Sequence, residues 1–561
     1  MKKTAVLLIL IITVAFFYIR SAPSAFKYDD SPETISDSML LSIQHPPGYP
    51  LFTLAGKAAT LLPLGSAAFR VNFLSILLTL TFIFVTWAIL EYTVSGGNFG
   101  HKSGNGTVPP GFWGAALTGI SYLIWNQGIE AKGGIYILNL MLTAVVIFSS
   151  FKISEAAPLK YIYLMFFAFS LSLANQWPSA MVMGPVVLYA LIRYRRSINI
   201  KRAGVLGLFL IIGLSPYIYL PLRMHTTGSP ATWENFWWFV SRSPYLSSFA
   251  ARPDFLKQAA LAAGIIVRDI SMLLVFAIPG LIYLSRRNKV FLFISLYVIA
   301  ANFAAAVAYN AFRTETSFVF STFLLPAVYM SAVISAAGIY YTLGFLGKKP
   351  GMVCAAGTAF AILFVGWANF DRNNLGSDYI AYDYAHNILK TMEDNSVYIP
   401  ARDINTLPLY YLIPLVDKPA GLKMIVVQSL KIRFVCESLM KSYPGLRLEP
   451  GRIEENIIAM VSYFSGKRNI YMVDTGITVD GMVQYGILRS VGSAANVDIF
   501  KKYSYRGIYS KAVLADHLLM SIVSRYPGSL KIAAMEAAEK NDNMLAASIY
   551  RKAMLFPSGK R

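Results

Sequence analysis

Between positions 29 and 47 the chain holds four carboxylates, Asp29, Asp30, Glu33 and Asp37, and then His45 followed by Pro46 and Pro47. A carboxylate or imidazole held at a reacting hydroxyl can act as a general base. The stretch SPETISDSMLLSIQ places Ile35, Met39, Leu40 and Ile43 on one side of a helix, which predicts an amphipathic segment in the membrane interface. Two prolines fix the backbone and disfavour helix for the residue before them, and Gly48 permits a sharp turn. HPPGYP (45–50) therefore reads as a bracket that pins His45 and the preceding carboxylates, the support a preorganised base needs. The plainer reading of an acidic stretch between apolar segments is solvated surface.

Two further loops carry groups of interest. In 216–245, PYIYLPLRMHTTGSPATWENFWWFVSRSPY, Arg223 ends an apolar run and Trp233, Trp237 and Trp238 follow. A guanidinium suits phosphate oxygens bidentately, so Arg223 is a candidate for a lipid phosphate under an aromatic cover. The competing reading is an interfacial aromatic belt with a snorkelling arginine. In 125–139, WNQGIEAKGGIYILN, Glu130 and Lys132 either pair with each other or meet substrate. Arg268 and Asp269 lie inside an apolar run, where charge is costly, and are expected to pair structurally or to line a pathway. The chain has no phosphate-binding glycine loop, zinc spacing, HExxH or GxSxG, so a nucleotide-driven pump or a membrane zinc protease has no support.

Apolar runs must position these groups. The 561 residues are 56% hydrophobic and 14% charged, against about 25% charged in a soluble chain. Apolar segments fall at 4–19, 70–92, 112–126, 134–151, 160–175, 178–192, 204–222, 258–284, 290–309, 318–342 and 351–369. About 20 helical residues cross the hydrocarbon, so the class is a polytopic α-helical membrane protein of about 11 spans. The first run is read as an uncleaved span, because SAPSA is a poor cleavage site and the run is long. The net charge of +21 does not imply nucleic acid: much of the excess sits in short loops, without a recognition motif. With Lys2 and Lys3 inside, the loops holding Lys102, Lys152 and Lys160, Arg193 to Arg202, Arg286 to Lys289, and Lys348 and Lys349 are also inside. The opposite loops, with the DDSPE stretch, Glu130 and Lys132, 223–257, and Arg313 and Glu315, are more balanced in sign. This predicts a multi-pass protein of the cytoplasmic membrane, N-terminus inside and the region after 370 outside. Cys354 and Cys436 fall in an apolar run and a polar region, so neither a disulfide nor a cysteine metal site is expected.

Residues 371–510 alternate helix-like YDYAHNILKTMED with strand-like SVYIP, KMIVVQS and RNIYMVD, which predicts an extracytoplasmic α/β domain. Residues 511–561 read as a helical tail, with two amphipathic helices around KNDN resembling one tetratricopeptide-like pair.

Asp30, Ser31 and Glu33, then HPPGYP at 45–50, then Arg70, Val71 and Asn72 recur in the order of a D-S-x-E, H-P-P-G-Y-P, R-V-N signature. The chain thereby resembles the bacterial "domain of unknown function 2723" family, GT-C-type membrane glycosyltransferases related to eukaryotic transmembrane protein O-mannosyltransferases. IYILN (135–139), LSLANQWPS (171–179), YLPLR (219–223) with Trp233, TFLLPAVYMSAVISAAG (322–338) and ARDINTLPLYYL (401–412) extend the resemblance over nearly the whole chain. Gln176 stands where the family pattern has His, EAKGG replaces an Ala-Glu, and Arg402 stands where Gly is usual.

The resemblance implies an enzyme that moves a sugar, possibly mannose, from a polyprenyl-phosphate donor to a hydroxyl on a protein or glycan at the outer face of the bilayer. It implies Asp30 as general base with Glu33 in support, and inversion at the sugar. Arg223, His45 and Arg70 become candidates for the donor phosphate. Asp29, Glu130, Lys132, Gln176 and Trp233 become candidates for substrate binding. No cofactor, metal ligand set or nucleic acid is expected, and a divalent-metal requirement stays open. Two other readings remain: a transporter or flippase of lipid-linked glycans, and a scaffold that binds a partner through the helix pair at 528–557.

Overall fold

The computed structural model describes residues 3–95, 108–153, 158–243, 254–308, 321–346, 348–492, 496–510 and 517–557. Lys102, Arg313 and Glu315, used in the loop-charge reading, lie outside the described residues. In chain order the helices up to Asn373 are α1 (Lys3–Ser21), α2 (Ser31–Leu40), α3 (Pro50–Thr60), α4 (Ala67–Ser95), α5 (Pro110–Ile120), α6 (Tyr122–Gly128), α7 (Ala131–Lys152), α8 (Pro158–Ala180), α9 (Gly184–Tyr194), α10 (Ile200–Leu214), α11 (Tyr219–Arg223), α12 (Trp233–Val240), α13 (Phe255–Ile270), α14 (Ala277–Arg287), α15 (Lys289–Ala308), α16 (Leu325–Leu346) and α17 (Lys348–Asn373). There follow α18 (Ile380–Thr391), β1 (Ser396–Pro400), α19 (Leu407–Leu412), β2 (Lys423–Met424), α20 (Arg433–Ser442), α21 (Ile453–Phe464), β3 (Asn469–Val473), β4 (Met482–Tyr485), β5 (Leu488–Val491), α22 (His517–Val523), α23 (Arg525–Glu539) and α24 (Asn543–Ala553). The chain divides into two compact units. The first is Met1–Pro23, Ile43–Leu222 and Phe236–Gly376; the second is Ser24–Ser42, Arg223–Asn235 and Ser377–Arg561.

In the first unit, eight helical stretches among the described residues are long and apolar enough to cross a membrane. The expected segments at 112–126, 160–175 and 178–192 are helical too, but the chain breaks within or between them. Ser121 (φ −54, ψ 125) separates α5 from α6. Gln176 (φ −153, ψ 82) interrupts α8 two residues before Pro178, whose ring removes a donor and crowds the preceding turn. Where glycines remove bulk, helices close up. A Cβ on Gly338 of α16 would lie 1.8 Å from the Phe276 carbonyl oxygen, and one on Gly280 of α14 would lie 2.0 Å from that of Ile334. Small residues of this kind let membrane helices pack backbone to backbone.

The second unit contains a five-stranded sheet of order β2-β1-β3-β5-β4. β1 is parallel to β2 and β3, while β5 runs antiparallel to β3 and β4. SVYIP and RNIYMVD form the buried central strands as their apolar runs predict; KMIVVQS gives a two-residue strand and then a tight turn. Val397, Ile399, Ile470 and Met472 pack with Cys436, Ile457, Met460 and Phe464 in its core. The tail helices belong to this unit instead of forming a separate part after 510: Glu536 of α23 accepts from the backbone N–H of Gln484 in β4 at 2.9 Å. Asp383 of α18 pairs with Arg506 at 2.6 Å, and that guanidinium lies 4.0 Å from the Tyr379 ring centre.

Gly338→Val forces α14 and α16 apart, and overpacking of this kind costs about 1–3 kcal/mol or more. The expected outcome is a clear fall in the apparent melting temperature of the detergent-purified protein, measured by intrinsic fluorescence. A valine at Gly204, whose Cβ would meet nothing within 4 Å, is the control and changes it little.

Candidate active site

The acidic loop belongs to the second unit and leads into α2, with Asp30 at its N-cap and Glu33 in its first turn. Asp29 is taken up locally: Oδ1 accepts from the Ser31 N–H at 2.8 Å, and Oδ2 lies 3.7 Å from the ammonium of Lys27. Lys27 is itself buried, and no pattern in the sequence marked it. Asp30 is half-buried at the head of the helix, and its carbonyl accepts from Thr34.

α2 packs on α19, inside the ARDINTLPLYYL segment, where Ser36 Oγ donates to the Tyr410 carbonyl at 2.9 Å. Desolvation and then the carboxylates of Glu33, Asp37 and Asp403 push the Tyr410 phenol well above its ordinary range. Tyr410 thus marks where the acidic helix and the 401–412 segment meet. At the other end of α2, Arg223 donates from Nε to the Leu41 carbonyl at 2.5 Å and from Nη2 to that of Leu40 at 3.1 Å. A cation here satisfies carbonyls left open by the helix end and complements its dipole. Trp233 opens α12 and is largely exposed.

The bracket belongs to the first unit. The Gly48 N–H donates to the His45 carbonyl at 3.0 Å, the Pro46–Pro47 bond is cis, and Gly48 has φ +88. A Cβ on Gly48 would lie 2.8 Å from Leu220, so glycine is needed both for the turn and for close packing. Lys132 meets His45, Nζ to Nε2, at 3.2 Å and lies 4.3 Å from the ring centre of Tyr49. An ammonium only donates, so His45 Nε2 is the acceptor in this contact. Tyr49 closes the group edge-on to His45, with centroids 5.6 Å apart. Glu130 is buried and takes a hydrogen bond from Gln127 Nε2 at 3.2 Å. The glycines of EAKGG explain that departure from the family pattern. A Cβ at 133 would reach within 2.1 Å of the Gln127 carbonyl oxygen, and one at 134 within 2.1 Å of Ser75 Oγ.

Three other candidates brace the backbone. Arg70 donates to the carbonyls of Leu64, Thr60 and Gly65 at 2.7, 2.6 and 3.0 Å, so all three of its nitrogens hold the turn before α4. Gln176 sits at the α8 break, where its carbonyl accepts from Asn139 at 2.8 Å and its side-chain oxygen accepts from the Ser179 N–H at 3.0 Å. Asn139 and Asn175 also bond to each other at 2.7 Å, which joins the IYILN and NQW motifs. Arg268 and Asp269 part company: Arg268 is exposed, while buried Asp269 accepts from the Leu123 N–H at 2.8 Å. Among the described residues, no three His, Cys, Asp or Glu side chains converge as a metal site.

Residues 30–200 match the model of the family described as "Protein O-mannosyl-transferase TMEM260 N-terminal domain". The chain is similar to Protein O-mannosyl-transferase TMEM260 of Mus musculus, 30% identical over 228 residues, covering 39% of this chain and 31% of that protein. It is also similar to Protein O-mannosyl-transferase tmem260 of Dictyostelium discoideum, 22% identical over 477 residues, covering 73% of this chain and 56% of that protein. The match thus spans about a third of the first relative's length and just over half of the second's. Among solved structures, ArnT from Cupriavidus metallidurans in the apo state superposes with a TM-score of 0.54 at 11% identity, covering 87% of this chain and 97% of that one. That likeness shows the fold, the GT-C architecture of a multi-pass membrane protein.

Asp29→Ala removes the acceptor for Ser31 and leaves Lys27 buried without that partner, a loss of about 1–3 kcal/mol. The apparent melting temperature of the purified variant checks it.

Proposed function

We propose that this chain, a GT-C-fold relative of the TMEM260 protein O-mannosyl-transferases, is a membrane glycosyltransferase. It moves a sugar from a polyprenyl-phosphate donor to a hydroxyl of a protein or glycan acceptor on the outer side of the cytoplasmic membrane, with inversion. The observation that carries the reading is the head of α2. The family match begins at Asp30, and Asp30 stands half-buried at the N-cap of the helix that carries Glu33 in its first turn.

In this reading Asp30 takes the proton from the acceptor hydroxyl as its oxygen attacks the anomeric carbon. The bond to the lipid phosphate breaks on the opposite face, and the phosphate leaves as an anion. Glu33, one turn along the helix, holds Asp30 or the acceptor in place. Cations stabilise the departing phosphate. Arg223 has five N–H donors, of which two hold the end of α2. α2 is ten residues long, about 15 Å, so base and arginine lie at opposite ends of one helix and suit a substrate extended along it. Lys132 and His45 belong to the first unit and are assigned to donor binding in this reading. The sugar enters as mannose by analogy with the relatives' printed names.

The experiment is transfer activity in detergent, with polyprenyl-phosphate mannose and an extract of outer-face proteins and glycans, read as acceptor mass shifts. Asp30→Asn is expected to lower kcat about 10²–10⁴-fold, the usual contribution of a positioned base, with donor KM little changed. Arg223→Lys and Lys132→Met are expected to raise donor KM. Full activity in Asp30→Asn would sink the base assignment. No transfer from folded wild type with any polyprenyl-phosphate sugar would sink the enzyme reading and favour a flippase, assayed in vesicles.

A further inference from the structure

We propose that a groove between α9 and α15 binds an anionic two-chain phospholipid, phosphatidylglycerol in type. The groove encloses about 440 Å³, within the roughly 300–1,000 Å³ typical of ligand sites. Its walls include Val186 and Tyr189 of α9 and Lys289, Phe293, Ile294 and Tyr297 of α15. Tyr297 closes one end, where its hydroxyl donates to the Val182 carbonyl at 2.8 Å. That contact and the lining order make the two helices antiparallel. Lys289 and Tyr189 therefore share the other end, about 12 Å away along α15 at 1.5 Å per residue.

The open end is cationic. Lys289 lines it, Arg286 and Arg287 precede it, and Arg193, Arg195 and Arg196 lie where α9 ends; all six are exposed. Neither α14 and α15 nor α9 and its following turn contains an Asp or Glu. An apolar trough alongside a membrane span, with a cation at its mouth, fits acyl chains below an anionic headgroup. A small free anion would leave its apolar length unfilled. Loop charge assigns this end to the cytoplasmic side, where the leaflet is anionic and basic pockets between helices recognise headgroups. None of the groups proposed for sugar transfer lines the groove, so the inference stands apart from that reading.

The test is lipid binding by native mass spectrometry of the delipidated full chain, titrated with phosphatidylglycerol or phosphatidylcholine in mixed micelles. Phosphatidylglycerol should bind more tightly. Lys289→Ala should weaken it about fivefold, as about 1 kcal/mol per surface cation implies. Ile294→Trp, or Val290→Phe should that variant fail to fold, should weaken it at least as much by filling the trough. Lys201→Ala, an equal loss of charge at the exposed start of α10, should leave it unchanged. Equal binding of the two lipids, equal loss in Lys289→Ala and Lys201→Ala, or unchanged binding in a folded groove-filling variant would overturn the proposal. So would displacement of phosphatidylglycerol by an equal amount of polyprenyl phosphate.

Discussion

The first unit depends on how one broken helix is repaired. A chain in hydrocarbon must satisfy its backbone polar groups internally, at several kcal/mol for each one left open. The break at Ser121 frees N–H groups after it and carbonyls before it. Asp269 of α13 accepts from Leu123, and the Ser121 hydroxyl accepts from Ile124 at 3.3 Å. Asn369 and Asn373 of α17 donate to the Ile120 and Tyr122 carbonyls at 2.8 and 3.2 Å. Trp125, in the short helix so formed, donates to Ser21 of α1 at 2.8 Å and stacks on Tyr18 at 4.9 Å. Helices distant in sequence are thus tied to one point, and the chain leaving that point carries Gln127, Glu130 and Lys132. The place of Lys132 against His45 and Tyr49 follows from that repair.

The second unit meets the same requirement at the ends of α2. Arg223 answers the carbonyls at one end and Asp29 answers an N–H at the other, while Tyr410 lies among carboxylates from two segments. Ser31 and Lys27 meet the two oxygens of Asp29, so this carboxylate holds the start of the helix.

Much of this was legible in the chain. Long apolar runs and loop charge give the class, because lipid sets a length and a composition that few other environments impose. SVYIP and RNIYMVD read as strands because both are short, apolar and β-branched or aromatic. The motif order from Asp30 to Asn72 and on to ARDINTLPLYYL pointed to the GT-C fold. The interruptions at Ser121 and Gln176 were not legible, because an apolar run looks the same whether its helix is whole or broken. The β4–β5 hairpin was missed because MVQY and LRSV are too short and mixed to show a period. Lys27 was missed because a single lysine carries no periodic signal and its role arises from burial. Nor does a sequence show that the segments 24–42 and 223–235 join residues 377–561 in one unit.

Those misses share a cause that bears on reading any such protein. In a soluble chain a polar residue in an apolar run draws attention as chemistry. In a membrane protein the same residue is often the answer to an open backbone group, and only its partners tell the two apart. The side chains of Arg70, Gln176 and Asp269 all bond to main chain, and each holds a turn or a break in place. Lys132 meets the side chains of His45 and Tyr49. Arg223 stands between, with part of its fork on a helix end. Arg223 thereby fixes the end of the helix whose head carries Asp30.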